Sequence, residues 1–249
     1  MKKLSLALMI TSMAAPLAHA DTILGVYAGA GSWNAAYSGD FGAPVSTSLK
    51  DLGVKDEKQN YFYIALEHPI PLVPNIRLEK MDVTSTQSAN ITKSFTFDKV
   101  VYNASEKVNS EFDLSHLDAT LYYEILDNWV NLDIGVTARM FNGYAEATTS
   151  TNPIKTKKVD LDETLPMLYV KAQFDLPFSG LSVAAEGNAV SYSGSKLTDL
   201  QAKIVYMFDG VFDIGVEGGY RSMSLTVDED DINTTFDMKG PYVALIAHF

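Results

Sequence analysis

The chain has 249 residues, with 31 Asp and Glu against 19 Lys and Arg, a formal charge of -12. Such an acidic chain repels phosphate backbones, which argues against a nucleic-acid partner. It has no Cys, so disulfides, thiolate zinc sites and a cysteine nucleophile are excluded. Its 47% hydrophobic content and mean hydropathy of +0.01 fit neither a disordered chain nor a polytopic helical membrane protein.

The first element is an export signal. Lys2 and Lys3 form a positive start, and Leu4 to Pro16 is apolar apart from small or hydroxyl residues. Ala18-His19-Ala20 is a small-x-small site, which predicts cleavage between Ala20 and Asp21. The apolar run is too short for a bilayer span, and no Cys follows the cleavage site to carry a lipid. The remaining 21–249 reads as one domain. It contains no apolar run near the ~20 residues of a transmembrane helix. That leaves an exported soluble protein or a membrane β-barrel.

The spacing predicts ten strands, at 23–37, 60–68, 76–86, 111–126, 129–145, 163–176, 181–192, 197–208, 211–227 and 234–249. Between Val130 and Met140 apolar residues occupy every even position and Asn131, Asp133, Gly135, Thr137 and Arg139 the odd ones. This is the period of a strand with one apolar and one polar face. The same alternation runs through Leu117–Ile125, Leu168–Leu176, Leu181–Ala189, Leu200–Phe208 and Phe212–Tyr220. These runs match the ~9–11 residues of a transmembrane strand better than the ~5–6 of a soluble one. Their polar faces carry full charges in mid-strand, which suits a barrel lumen with the apolar face turned to lipid.

The connections also alternate. Short ones lie at 68–75, 127–129 and 177–180 and at Asp209-Gly210, the last a favoured two-residue hairpin turn. Long polar ones are expected at 38–59, 85–110 and 146–162, with shorter ones at 192–196 and 228–233. Trp129, Phe174, Phe178, Phe208, Phe212 and Phe249 gather near the short turns, as in an interfacial aromatic girdle. The expected fold is therefore all-β: a transmembrane antiparallel up-and-down barrel of ten strands, with eight or twelve as alternatives. Both termini and the short turns fall on the periplasmic side and the long loops outside the cell.

Two stretches carry a resemblance. In the C-terminal strand Val243, Leu245, Ala247 and Phe249 alternate back from the last residue. This resembles the signature by which the outer-membrane assembly machinery of Gram-negative bacteria recognises barrel proteins. Leu24-Gly25-Val26-Tyr27-Ala28-Gly29-Ala30-Gly31 with Trp33, and Gly218-Gly219 near the end, resemble a small proteobacterial outer-membrane family named for a Gly-Gly motif. The resemblance covers essentially the whole mature chain. It implies the outer membrane, with its lipids and lipopolysaccharide as surroundings, and implies no catalytic residues.

The alternation assigns Glu67, Asp118, Glu124, Asp133 and Asp175 to the lumen. It also places Glu186, Asp199, Asp213 and Glu217 there, with Arg139, Lys171, Lys203 and Arg221 as the bases. Nine acids against four bases suggest a narrow path for a small solute or cation. The other reading is an interior closed by ion pairs, since ten strands make a far narrower barrel than the 16–18 of porins. Adhesion or recognition through the long loops is an alternative function. A lumen hydrolase is another: His116 and Asp118 share a face and can pair, although no third catalytic group accompanies them. Asp228-Glu229-Asp230-Asp231 lacks the spacing of a calcium loop and reads as a solvated loop tip. No cofactor, metal site or enzymatic activity is expected.

Overall fold

In the computed structural model, which describes residues 24–150, 153–208, 210, 212–229 and 232–249, the alternating segments pair into a closed antiparallel barrel. The signal segment, with Ala20 and Asp21, lies outside the described residues. The chain starts with β1 (Gly25–Ser38), followed by a small hairpin of β2 (Asp40–Phe41) and β3 (Thr47–Ser48). Next come β4 (Glu57–Glu67) and β5 (Asn75–Met81). Four short strands follow: β6 (Thr84–Asn90), β7 (Phe95–Phe97), β8 (Val100–Tyr102) and β9 (Lys107–Asp113). β10 (His116–Leu126) and β11 (Val130–Phe141) precede β12 (Gly143–Thr149), β13 (Thr156–Leu161) and β14 (Thr164–Leu176). The chain ends with β15 (Leu181–Tyr192), β16 (Ser195–Phe208), β17 (Asp213–Glu229) and β18 (Ile232–His248).

The barrel order is β1, β4, β5, β10, β11, β14, β15, β16, β17, β18, and β18 returns to β1. Closure is direct: Ala30 of β1 faces Phe62 on one side and Leu245 on the other. The barrel sheet itself has no open edge, which removes the usual aggregation hazard of a sheet there. Each of the ten segments expected from the sequence overlaps one of the ten barrel strands, with ends that differ by one to several residues.

The two faces follow from the alternation. In β11, Asp133, Thr137 and Arg139 are buried, whereas Ile134 and Val136 are exposed. In β18, Tyr242 and Ala244 point inward while Val243, Leu245 and Phe249 stand exposed on the outer wall. The outer wall is thus a belt of uncovered apolar side chains contributed by every barrel strand, where a soluble monomer shows only confined patches. At its short-turn end the six expected aromatics are all exposed, with Trp129 against Phe174 at 5.3 Å and Phe212 against Phe249 at 5.4 Å.

Two local expectations are corrected. The turn at Asp209-Gly210 is not a two-residue hairpin, because β16 ends at Phe208 and β17 begins at Asp213. Gly210 N–H instead donates to Asp213 Oδ1 at 3.0 Å, which tightens a longer connection. The segments 85–110 and 146–162 are not merely polar loops. They hold a second sheet in the order β6-β9-β12-β13 and a β7–β8 hairpin. This sheet continues the barrel strands beyond the rim, with Asn142 alone between β11 and β12.

That cap has its own core. Phe41 packs against Phe97 at 4.4 Å, Phe112 at 5.3 Å and Phe95 at 6.1 Å. Leu49, Leu52, Ile91 and Tyr102 are fully buried beside them. Each such apolar side chain contributes roughly 1.5–3 kcal/mol relative to exposure. The cluster does not stop at the rim. It is continuous with Trp33, Tyr61, Met81, Met223 and Met238, which point into the barrel.

The Gly218-Gly219 pair has a one-sided physical reason. A Cβ on Gly219 would lie 2.4 Å from the Ala202 carbonyl and 2.8 Å from the Tyr242 ring, whereas one on Gly218 meets nothing within 4 Å. Gly219→Val is therefore expected to destabilise the barrel by about 1–3 kcal/mol through overpacking, and Gly218→Ala by less than about 0.5 kcal/mol. Urea unfolding of both variants in lipid checks this; equal effects would contradict the face assignment of β17.

Candidate functional site in the barrel lumen

Charged side chains reach the lumen because the strands alternate, and closure makes opposite walls meet. Arg139 on β11 donates to Asp118 at 2.8 and 2.7 Å and to Asp199 at 2.8 Å. Arg221 on β17 holds Asp199 at 2.6 Å and reaches Glu79 on β5 at 3.1 Å. Glu79 also accepts from Arg77 at 2.6 Å, and Arg77 bonds Glu186 on β15 at 3.2 Å. Lys203 on β16 lies 3.2 Å from Glu186 and 3.3 Å from Glu217. The result is one alternating acid–base chain from Asp118 to Glu217.

Its two widest links cross the barrel. Arg77 to Glu186 spans 109 positions of sequence and Arg221 to Glu79 spans 142. β5 is four strands away from both β15 and β17 around the wall, so these bonds brace the interior transversely. Arg139 and Arg221 are among the largest fully buried side chains. Such charges tolerate loss of water only because each guanidinium is met by carboxylates in hydrogen-bonding geometry. Below the chain, Lys171 lies 3.3 Å from Asp133. Thr120, Thr137 and Asn188 add a polar layer, with oxygens 2.8 and 2.6 Å apart. The cavity left between Arg77, Asp118, Tyr169, Asn188 and Arg221 is about 10 Å³, close to the minimum for one water.

Most of the sequence-derived lumen set is buried inside the barrel, where it does not line an open path. Arg139, Lys171, Lys203 and Arg221 are all ion-paired, and so are Asp118, Asp133, Glu186, Asp199 and Glu217. The count was also incomplete, because Arg77 and Glu79 belong to it. They alternate with the exposed Ile76 and Leu78, a face hidden in the sequence by the shortness of β5 and by Lys80 on its outer side.

The remaining acids lie toward the short-turn end. Glu67 accepts from Tyr122 at 2.6 Å. Asp175 accepts from Asn131 at 2.9 Å, Gln173 at 2.8 Å and Ser182 at 2.5 Å. Asp213 lies 3.7 Å from His248, and Glu124 is exposed.

The hydrolase expectation lacks its pair. His116 Nδ1 is bound to the Leu114 carbonyl at 2.9 Å, and both Asp118 oxygens are taken by Arg139. His68 Nδ1 accepts from the Ile70 N–H at 3.2 Å in a short turn. Asp230 and Asp231 of the acidic tip lie outside the described residues.

The cap is pinned by its own polar contacts. Asp51 accepts from Thr92 N–H at 3.1 Å and Oγ1 at 2.7 Å, which joins the loop after β3 to the one after β6. Slight burial works against its charge, but the hydrogen bonds from Thr92 and Thr47 hold this carboxyl below the usual carboxylate range. This pin is fully present above the ordinary Asp range and weakens as pH falls through the depressed value. Lys155 Nζ, 2.9 Å from Glu106, does the same for the β8–β9 connection.

No protein-family model matches the sequence, and no curated protein matches it. Among solved structures, the chain is similar to a Pseudomonas aeruginosa FadL homologue at 6% identity and a TM-score of 0.34, over 91% of this chain and 90% of that one. It is also similar to the P. putida toluene transporter TodX at 7% identity and a TM-score of 0.27, over 90% of each chain.

Proposed function

We propose that this chain is an integral outer-membrane β-barrel whose lumen is sealed and whose working surface is the folded cap outside the cell. The observation that carries the sealed lumen is the continuity of the cap core with the buried layer of Trp33, Met81, Met223 and Met238 above the acid–base chain. A solute would have to displace apolar packing and buried ion pairs together. The apolar outer wall, the girdle at the short turns, the alternating C-terminal strand and the Gly-Gly resemblance support the compartment. The reading favours surface recognition over transport, with outer-membrane lipids and the assembly machinery as the expected partners. The excess of acids lies mostly at the short-turn end and supports no through path.

Purified protein in a planar bilayer is expected to give no steady conductance in KCl. A sustained cation-selective current would restore the channel reading. On intact cells, a Cys replacing Lys93 in the cap should react with an impermeant thiol reagent, and one replacing Asp127 should not. The opposite labelling would turn the barrel over.

A further inference from the structure

The outer wall carries a groove over β18, β1 and β4. Outward residues form cross-strand rows: Val243, Ser32 and Asn60 in one, and Leu245, Ala30 and Phe62 in the next. The floor is low because β1 offers only Ala30 and Ser32. Val243 and Leu245, 61% and 66% exposed, make one wall, and Phe62, 60% exposed, makes the other. The groove has a volume of about 490 Å³, in the range of ligand sites, and Asn60 and Asp82 give it a polar end.

Cations stand at that end, on the side toward the cap. Lys58 faces Asn34 and Lys239 faces Ala36, respectively two and four residues beyond Ser32 along β1. At about 3.3 Å per residue this puts them roughly 7 and 13 Å past the groove floor. Both are exposed, and neither has an ion pair among the described residues. Lys80, also next to Phe62, lies 3.7 Å from Asp82, which offsets its charge. Two exposed cations without an ion pair among the described residues, above an apolar trough, match a ligand with anionic head and apolar tail.

We propose that the groove seats an acyl chain of a phosphorylated, acylated glycolipid of the outer leaflet, with its phosphate between Lys58 and Lys239. This rests on the outer-membrane reading above. A second copy of the chain fits less well. Two barrels of the same orientation meeting on a twofold axis along the membrane normal would bring the same lysines together at the same height. A zwitterionic phospholipid has the tail but not the net charge.

The test is lipid retention by the purified full chain in native mass spectrometry. Diphosphoryl lipid A and phosphatidylethanolamine are the probes, and inorganic phosphate is the competitor. Lipid A is expected to be retained in preference to phosphatidylethanolamine, and phosphate should not displace it. Lys58→Gln with Lys239→Gln should weaken lipid A retention roughly thirty-fold, about fivefold for each surface cation, and leave phosphatidylethanolamine unchanged. Ala30→Leu with Ser32→Leu should fill the trough and weaken both lipids. Equal retention of the two lipids, an unaffected lysine double variant, an unaffected filled groove, or displacement by phosphate alone would each overturn the proposal. Cell fractionation reads the compartment separately. A barrel found in the outer membrane without lipid preference refutes the groove alone, and a barrel found elsewhere refutes the compartment.

Discussion

Replacing Arg139 with Met is expected to destabilise the barrel by about 3–5 kcal/mol, the usual loss when one member of a buried ion pair is removed. The magnitude follows from what is left behind. Asp199 keeps Arg221 at 2.6 Å, but Asp118 loses the partner that held both its oxygens. Asp118 is 5% exposed, so water does not replace the guanidinium easily. The loss should therefore belong mostly to Asp118. Arg139→Met with Asp118→Leu should recover much of it, because replacing both partners of a buried pair by apolar groups is often close to neutral. Lys171→Met should cost less, since the Lys171 side chain is 22% exposed and its single contact to Asp133 is 3.3 Å. Equilibrium unfolding in lipid vesicles measures all three. A loss under about 1 kcal/mol for Arg139→Met would mean that water reaches Asp118. The interior would then be a hydrated path, and the sealed-lumen reading would fail with it.

The barrel was legible in the sequence because each strand solves the same local problem. An apolar side chain at every second position is enough to place β11 or β16 and to say which residues turn inward. The cap was not legible for the opposite reason. Its buried residues come in twos and threes with no sustained period, such as Phe95 and Phe97 around Thr96, or Leu49, Leu52 and Val54 in a turn-rich segment. Their burial is decided by contacts between segments far apart in the chain, as when Phe41 meets Phe236 at 6.4 Å. The same limit applied to the lumen. Alternation places Glu186 and Arg221 inside, but only closure shows that Arg77 reaches the first and Glu79 the second. A list of lumen charges therefore suggested an acidic path where the folded chain has paired them. Glu186→Gln, which from sequence would tune such a path, would instead remove a carboxylate held by Arg77 and Lys203.

Ile134→Lys and Asp133→Asn, neighbours in one strand, separate a membrane wall from a soluble one. Ile134 lies on the outer face, 42% exposed, between Tyr123 of β10 and Val170 of β14. It is five residues from Trp129 in the girdle, or roughly 16 Å at about 3.3 Å per residue. In a band about 25 Å tall that places it near the middle, where a Lys costs roughly 2–4 kcal/mol. In water the same exposed position would accept Lys within about 0.5 kcal/mol. Asp133 faces the lumen, 1% exposed, with Lys171 as its counter-charge. Asp133→Asn leaves that ammonium without its carboxylate, but the lysine is partly exposed and can be solvated. Its loss should be smaller, about 1–2 kcal/mol, as for a weakened charge-assisted hydrogen bond. Unfolding of the two variants in vesicles is therefore expected to rank Ile134→Lys as the worse. If Asp133→Asn proves worse, the register of β11 is shifted by one residue and every inward assignment on it inverts, because the side-chain period of a strand is two. If Ile134→Lys is neutral, the apolar belt does not meet lipid, and the membrane reading fails where it is most directly exposed to test.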